Sequence, residues 1–420
     1  MKFFSYFFLY FYLLRYLYIN KGDFTVGNYN GMTIKTYNIK LSGEQAFKKY
    51  WVQLMKHTME AYNACANVIH NNKVPLTIVA VHANCYETIK QQFPDLPAQA
   101  VIRIQKEVLR AFRSQKNNKH KNGNVPQKHN LSMTLDKRMY SSFTCEGISL
   151  VSDVPNKRKR FTFSLYPKVK DMFATSIAKD PLIYYKDNEL WLSIPFEVQG
   201  RMPNNDFCIG VDMGVKRLFT TSEGIAFRDK KYLANRRKLR YLKRKLQSKG
   251  TASAKRHLKF LSKKERNISK DMCHRATNAL LNSTNASVIV LEDLSKIKKS
   301  TSKGTNGYKR TKHNNMLGQV PFYLFKSILT YKATLVGKQV VSVSPMYTSQ
   351  TDSRSDMKDG KRLGCRYYCN DGIVFDADWN ASVNIGKRCH HPLSKELLPL
   401  DGALSFLNGR ELSTSQSSRA

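Results

Sequence analysis

Apolar side chains recur along this chain at two different periods, and the change from one to the other divides it. From about Glu44 to Lys116 the spacing is three and four residues. Trp51, Leu54, Met55, Met59, Tyr62 and Ala66 then share a face, so the pattern predicts helices. A polar, basic stretch, SQKNNKHKNGNVPQKH, follows and reads as an exposed loop. Residues 130–200 alternate in short runs (SLVSDV, RFTFSLY, LIYYKD, LWLSIPFEV), the period-two signature of antiparallel strands. With the strand-like TIKTYNIKL after Met32, these runs predict a small β-barrel or sandwich over 32–45 and 123–203, interrupted by a helical insert over 46–122.

A second unit starts near Asn204. Phe207, Ile209 and Val211 alternate with Cys208, Gly210 and Asp212, as a strand requires; RLFTT and GIAF, parted by a Ser-Glu-Gly turn, complete a three-strand meander. Helical patterns follow over 229–248 and 252–282, punctuated by Lys249-Gly250, with Thr251 or Ser253 as the cap. SVIVLEDL (287–294) is the continuous apolar run of a strand buried on both faces. A lysine-rich loop (296–312), a helix near 321–337, the strand QVVSVSP and a last helix opening at Asp378 in DADWNASVNIGK complete the order. Three antiparallel strands, then helix, strand, helix, strand, helix, predict an RNase H-like α/β unit after the α+β one.

Charge adds a partner to this picture. The chain has 70 Lys+Arg against 31 Asp+Glu, a net charge of +39. At 41% hydrophobic and 11% aromatic it has the apolar side chains for packed cores, which excludes a wholly disordered basic tail. A compact state so charged repels itself unless a polyanion neutralises it, and nucleic acid is the expected one. Residues 228–270 concentrate the effect, with 18 Lys+Arg crowding the faces outside the stripes Leu239, Leu242, Leu246 and Leu258, Leu261, and only Asp229 and Glu265 as acids. The alternative, a merely solvated charged face, leaves that charge without a counter-charge.

The eight cysteines are scattered, which suits a reducing compartment rather than a disulfide framework. Phe3–Ile19 is apolar and aromatic but interrupted by Arg15; it is short for a spanning helix and lacks a small-x-small cleavage site. The favoured expectation is that translation starts at Met32 and that 1–31 is an apolar upstream extension, an anchor or signal being the alternative. A cytoplasmic, nucleoid-associated protein with no membrane role follows; the sequence does not specify an oligomeric state.

In so basic a chain the acids are informative. Asp212 lies in the first strand of the second unit between Gly210 and Gly214, Glu292 ends SVIVLEDL, and Asp378 begins the final helix. Three carboxylates converging on one sheet edge repel each other unless divalent cations lie between them. Oxygen ligands favour Mg²⁺, and two ions there suit phosphodiester displacement. Singly, each has a plainer reading: a strand Asp as a turn partner, Glu292-Asp293 as a solvated strand end, Asp376 and Asp378 as helix caps.

IGVDMGVKRLFTT, VIVLEDLSKI, and YTSQT followed by DADWNASVNIGK resemble the three RuvC motifs of TnpB-type proteins, transposon-encoded RNA-guided DNA nucleases related to type V CRISPR effectors, across roughly residues 32–390. The resemblance implies that Asp212, Glu292 and Asp378 are catalytic ligands of two Mg²⁺ ions. It implies a RuvC-like nuclease domain over 204–390, a β wedge domain with a helical recognition insert, and a flexible tail over 391–420. A guide RNA from the protein's own element and target DNA are the implied partners. The basic helices (228–282) are then expected to hold an RNA–DNA duplex backbone through Arg236, Arg237, Lys238, Arg240, Lys243, Arg244, Lys245, Lys255, Arg256 and Lys259, with Gln350 of YTSQT as a further nucleic-acid-binding residue. KIKKSTSKGTNGYKRTKHNN is expected to track single strands, and VPNKRKR (154–160) to be a turn touching backbone.

One departure stands out. The family places a four-cysteine zinc ribbon before the last motif, and alignment puts Asp352, Ser355, Tyr368 and Asp371 at those positions. Cys365 and Cys369 with Cys389, His390 and His391 offer another arrangement, but the expectation is a degenerate segment over 348–375 that has lost zinc and is mobile. The leading function is an RNA-guided DNA endonuclease. The competing ones are a nuclease-inactive RNA-guided DNA-binding regulator or decayed transposase-associated copy, an RNA-binding protein, and a transposase that joins strands itself.

Overall fold

The computed structural model describes residues 31–117, 124–154, 157–294 and 320–389, and the backbone of 405–408. The apolar extension, the single-strand loop and most of the expected tail therefore lie outside the described residues. The chain divides into two compact units, Thr33–Gln199 and Gly200–Ala420 together with Met1–Met32.

The first unit opens with β1 (Met32–Lys40) and three helices, α1 (Gln45–Asn71), α2 (Ile78–Gln92) and α3 (Ala98–Asn117). On α1 the buried positions Phe47, Trp51, Leu54, Met55, Thr58, Ala61, Tyr62, Cys65, Ala66 and Ile69 keep the three-and-four spacing. Thr77 caps α2, its Oγ1 accepting from Ala80 N at 3.3 Å.

Strands then run β2 (Ser132–Thr134), β3 (Tyr140–Ser141), β4 (Gly147–Val151), β5 (Arg158–Thr162), β6 (Ile177–Ala178), β7 (Leu182–Lys186) and β8 (Glu189–Gln199), with α4 (Pro167–Thr175) before β6. Along β8, Leu190, Leu192, Ile194 and Phe196 point into the core while their neighbours face outward. Asp187 and Asn188 join β7 to β8 with φ of 52° and 62°, the left-handed pair that matches strand twist in a two-residue hairpin.

The expected barrel is not what forms: among the described residues no closed barrel is found. β1-β8-β7-β2 make an open sheet with β6 on β8, while β3-β4-β5 make a separate three-stranded sheet. The two are linked by the isolated bridge Ser42↔Thr162 and by side chains, not by a continuous ladder. Phe47 stacks on Phe161 of β5 with ring centroids 4.5 Å apart. A β-carbon on Gly43 would lie 2.6 Å from that same ring. Side-chain burial under α1 thus replaces ladder closure. The VPNKRKR run is a turn only in its first part, where Lys157 N donates to Val154 O at 3.1 Å; Arg158–Thr162 is β5, with Arg158 and Arg160 exposed, and residues 155–156 lie outside the described residues.

The second unit is built on one sheet of order β13-β12-β9-β10-β11-β17, where β9 is Cys208–Asp212, β10 Phe219–Thr221, β11 Ile225–Arg228, β12 Val288–Glu292, β13 Gln339–Val343 and β17 Ser405–Asn408. β9, β10 and β11 pair antiparallel; β12 runs parallel to β9, and β13 parallel to β12. This is the arrangement expected of an RNase H-like fold, with β17 added in parallel at the β11 edge. Two basic helices, α5 (Lys230–Lys249) and α6 (Ala252–Ser283), turn at Gly250 (φ 65°), and Thr251 is the cap, accepting from Ala254 N at 3.2 Å. α6 packs on α7 (Phe322–Leu335) through Met272, Ala276, Leu280, Phe325 and Leu329.

The last helix, α8 (Ala377–Lys387), lies on β9 at Gly210, where a β-carbon would come 1.9 Å from Ser382 O and 2.4 Å from Gly386 N. Only glycine permits that approach. The three-stranded ribbon β14 (Lys361–Leu363), β15 (Arg366–Tyr368), β16 (Val374–Asp376) precedes α8. Within the segment expected to be mobile, Tyr367 and Phe375 are buried together with Trp379 and Val383 of α8.

Candidate functional site

Parallel pairing of β9 with β12 sets Leu291 beside Val211, so Asp212 and Glu292 leave adjacent strands at the same sheet edge. α8, packed across β9, brings Asp378 in its first turn to that edge. The three expected ligands are therefore brought together from elements 166 residues apart in sequence (378 − 212).

Electrostatics report the convergence. The Asp212 carboxyl is held well above the usual carboxylate range by burial first and then by the charges of Glu292 and Asp378, with Arg362 and the Met213 N–H pulling the other way. Burial also raises Glu292, opposed by Thr348, whose hydroxyl donates to Glu292 Oε1 at 2.5 Å, and by Arg388 and Arg362.

Two arginines supply counter-charge at Asp378. Arg362 Nη2 donates to Asp378 Oδ1 at 2.8 Å, and Arg217 Nη1 lies 3.4 Å from Oδ2. Arg217 also grips Asp376 with both terminal nitrogens, at 2.7 and 2.8 Å. Asp376, not Asp378, is the cap of α8, accepting from Asp378 N and Trp379 N. Arg388 donates to the carbonyls of Ser344 and Met346, tying down the loop that carries Thr348. Arg217 and Thr348 lie inside quoted motifs, so their roles had a signal; Arg362 had none, because only the ribbon's fold delivers it to Asp378.

Among the described residues no three His, Cys, Asp or Glu side chains lie close enough to enclose an ion. The all-oxygen donor set of the three carboxylates is the kind Mg²⁺ takes while keeping several waters. Among the described residues Cys365, Cys369 and Cys389 form no three-ligand cluster: Cys369 is buried in the ribbon core, Cys365 is exposed, and the Cys389 thiol faces that of Cys208. His390 and His391 lie outside the described residues.

The expected nucleic-acid-binding residues sit on α5 and α6. Arg237, Lys238, Arg240, Arg244, Lys245, Lys255, Arg256 and Lys259 are exposed. Arg236 and Lys243 are instead turned to Glu265, at 3.4 and 2.9 Å, which joins the two helices. Gln350 is exposed, its carbonyl accepting from the Tyr367 hydroxyl. No helix among the described residues is long and apolar enough to cross a membrane.

Two family models match this half of the chain. OrfB_IS605, described as a probable transposase, matches residues 193–311, and the Cas12f1-like TNB domain matches residues 322–385. The chain is 29% identical over 229 residues, 50% of its length and 56% of the relative's, to the putative RNA-guided DNA endonuclease InsQ of Escherichia coli (strain K12). It is 31% identical over 130 residues to the CRISPR-associated endodeoxyribonuclease Cas12f2 of Micrarchaeota archaeon (strain CG1_02_47_40), covering 28% of this chain and 23% of that one. The chain thus spans little more than half of the first relative and under a quarter of the second. In fold it resembles the protein in a cryo-EM structure of a Cas12f1-sgRNA-target DNA complex, with a TM-score of 0.57 at 12% identity over 85% of this chain and 99% of that one.

Proposed function

From its kinship with TnpB-type RNA-guided nucleases, which the motif, family-model and relative matches bear out, we propose that this chain is an RNA-guided DNA endonuclease. The observation that carries the reading is that Asp212 and Glu292 leave paired strands at the same end of the sheet, with the Asp212 carboxyl pushed up by burial and by the charges of Glu292 and Asp378. These three would hold Mg²⁺, which when bound activates a water for attack on phosphorus and stabilises the leaving oxygen. The chain's own residues do the rest. Thr348 fixes one lone pair of Glu292 and so its facing, Arg217 and Asp376 fix the first turn of α8, and the exposed cations of α5 and α6 neutralise duplex phosphates.

In this reading the guide is transcribed from the protein's own element, the first unit serves as wedge and recognition lobe, and the protein works on chromosomal DNA. The runner-up, a guide-dependent binder that does not cut, is favoured by one observation, the Arg362 guanidinium placed on Asp378. Purified protein, its flanking transcript and a plasmid carrying the matching target decide between them. Cleavage that needs Mg²⁺ and disappears in Asp212→Ala supports the nuclease. Binding without cleavage supports the regulator, and strand-transfer products would point to a transposase instead.

A further inference from the structure

The two turns that carry the cysteines of a four-cysteine ribbon keep a tight backbone here, with other side chains on them. In the first, Asp352 N donates to Met357 O at 2.8 Å, Asp356 N donates to Asp352 O at 3.0 Å, and Ser355 Oγ accepts from Met357 N at 3.3 Å. In the second, Cys369 N donates to Ile373 O at 2.9 Å and Gly372, at φ 82°, donates to Cys369 O at 3.2 Å.

One guanidinium joins the turns. Arg354 Nη2 lies 2.6 Å from Asp371 Oδ2 and 3.5 Å from Asp352 Oδ2, and the Arg354 backbone N–H donates to Asp352 Oδ1 at 2.8 Å. The same guanidinium sits 5.0 Å over the Phe375 ring. Asp352 is 2% exposed, so this pairing satisfies a buried charge.

Zinc does not fit these positions. Two carboxylates, a hydroxyl and a phenol are not the thiolate and imidazole set of a structural zinc site, and a cation already lies between the carboxylates. Four thiolates around a dication leave two net negative charges; two carboxylates around a guanidinium leave one. The charge pattern is the same in sign, with arginine in the place of metal.

We propose that Arg354, paired with Asp352 and Asp371, replaces zinc as the fastener of residues 348–376, so that this ribbon folds without metal and presents Arg362 to Asp378. The buried cluster of Tyr367, Phe375 and Trp379 supplies the apolar burial that a small zinc loop lacks. Tyr367 closes it by donating to Gln350 O at 3.0 Å and filling the space at Gly360, where a β-carbon would lie 2.5 Å from its ring.

Amide hydrogen exchange on the full chain tests this without reference to DNA cleavage, so its outcome is independent of the nuclease reading. Exchange within 348–376 is expected to be the same with a strong chelator as with added zinc. Arg354→Ala is expected to speed it roughly 10-fold or more while 208–212 and 288–292 stay protected. Asp371→Asn, at an exposed position, gives a smaller increase confined to the same segment, and reads out the pair should Arg354→Ala not fold. Protein purified with one zinc per chain whose removal opens the segment would overturn the proposal. So would unaltered exchange in both variants.

Discussion

Asp212 sits where its charge is least welcome, half-buried beside two other carboxylates. Its native carboxyl holds a proton to higher pH than the unfolded chain does, so stability falls as pH rises through that window. Asp212→Asn removes the penalty. It is expected to stabilise the metal-free protein by about 0.5–2 kcal/mol near neutral pH while eliminating cleavage. The gain shrinks as pH falls toward about 4, where the unfolded carboxylate is protonated too. Thermal unfolding of both proteins across pH checks this; a lower melting temperature for Asp212→Asn near neutral pH would show that the carboxylate is stabilised rather than strained. At this scale sequence reasoning named the three acids but not the arginines beside them, because an arginine's partner is set by which loop folds over it.

Elements show where packing overrides pattern. In sequence, Gly210 beside Asp212 suggests room for a phosphate backbone, yet it is the point where α8 meets β9, with helix backbone where a side chain would begin. Gly210→Ala is expected to cost about 3 kcal/mol or more, seen as a lowered denaturant midpoint, because neither backbone can retreat cheaply. The α5–α6 hairpin was legible almost to the residue, since its narrow leucine stripes and the Gly250-Thr251 break are local signals. Its surface makes a separate prediction. Changing Arg237, Lys238, Arg240, Arg244 and Lys245 to Ala should weaken binding to an RNA–DNA duplex. The slope of log affinity against log salt should flatten by about 1 for each phosphate no longer neutralised. An unchanged slope would make these cations a merely solvated face. The barrel expectation failed at this scale too: alternation tells which side of a strand is buried, not whether the last strand of a sheet meets the first.

Across the whole molecule the apolar side chains sort into separate cores, one spanning Ile39 to Phe196 and the others within 208–385. Such separation predicts two calorimetric transitions. Trp51→Ala, by about 3–5 kcal/mol at its own core, should lower one and leave the other in place; a single transition shifted as a whole would refute this. The net charge of +39 also gains a distribution, since exposed cations crowd α5 and α6 while several of the acids are paired with arginines around the candidate site. The sequence by itself marked the main helices and strands of both units, the break and leucine stripes of the hairpin, and three candidate acids, because periodicity, chain breakers and scarcity of charge are properties of neighbours along the chain. Tertiary structure alone decided that the β sheets stay open, that Arg362 reaches Asp378, and that Arg354 binds two turns together. Those depend on how segments distant in sequence meet, and no local pattern encodes that geometry.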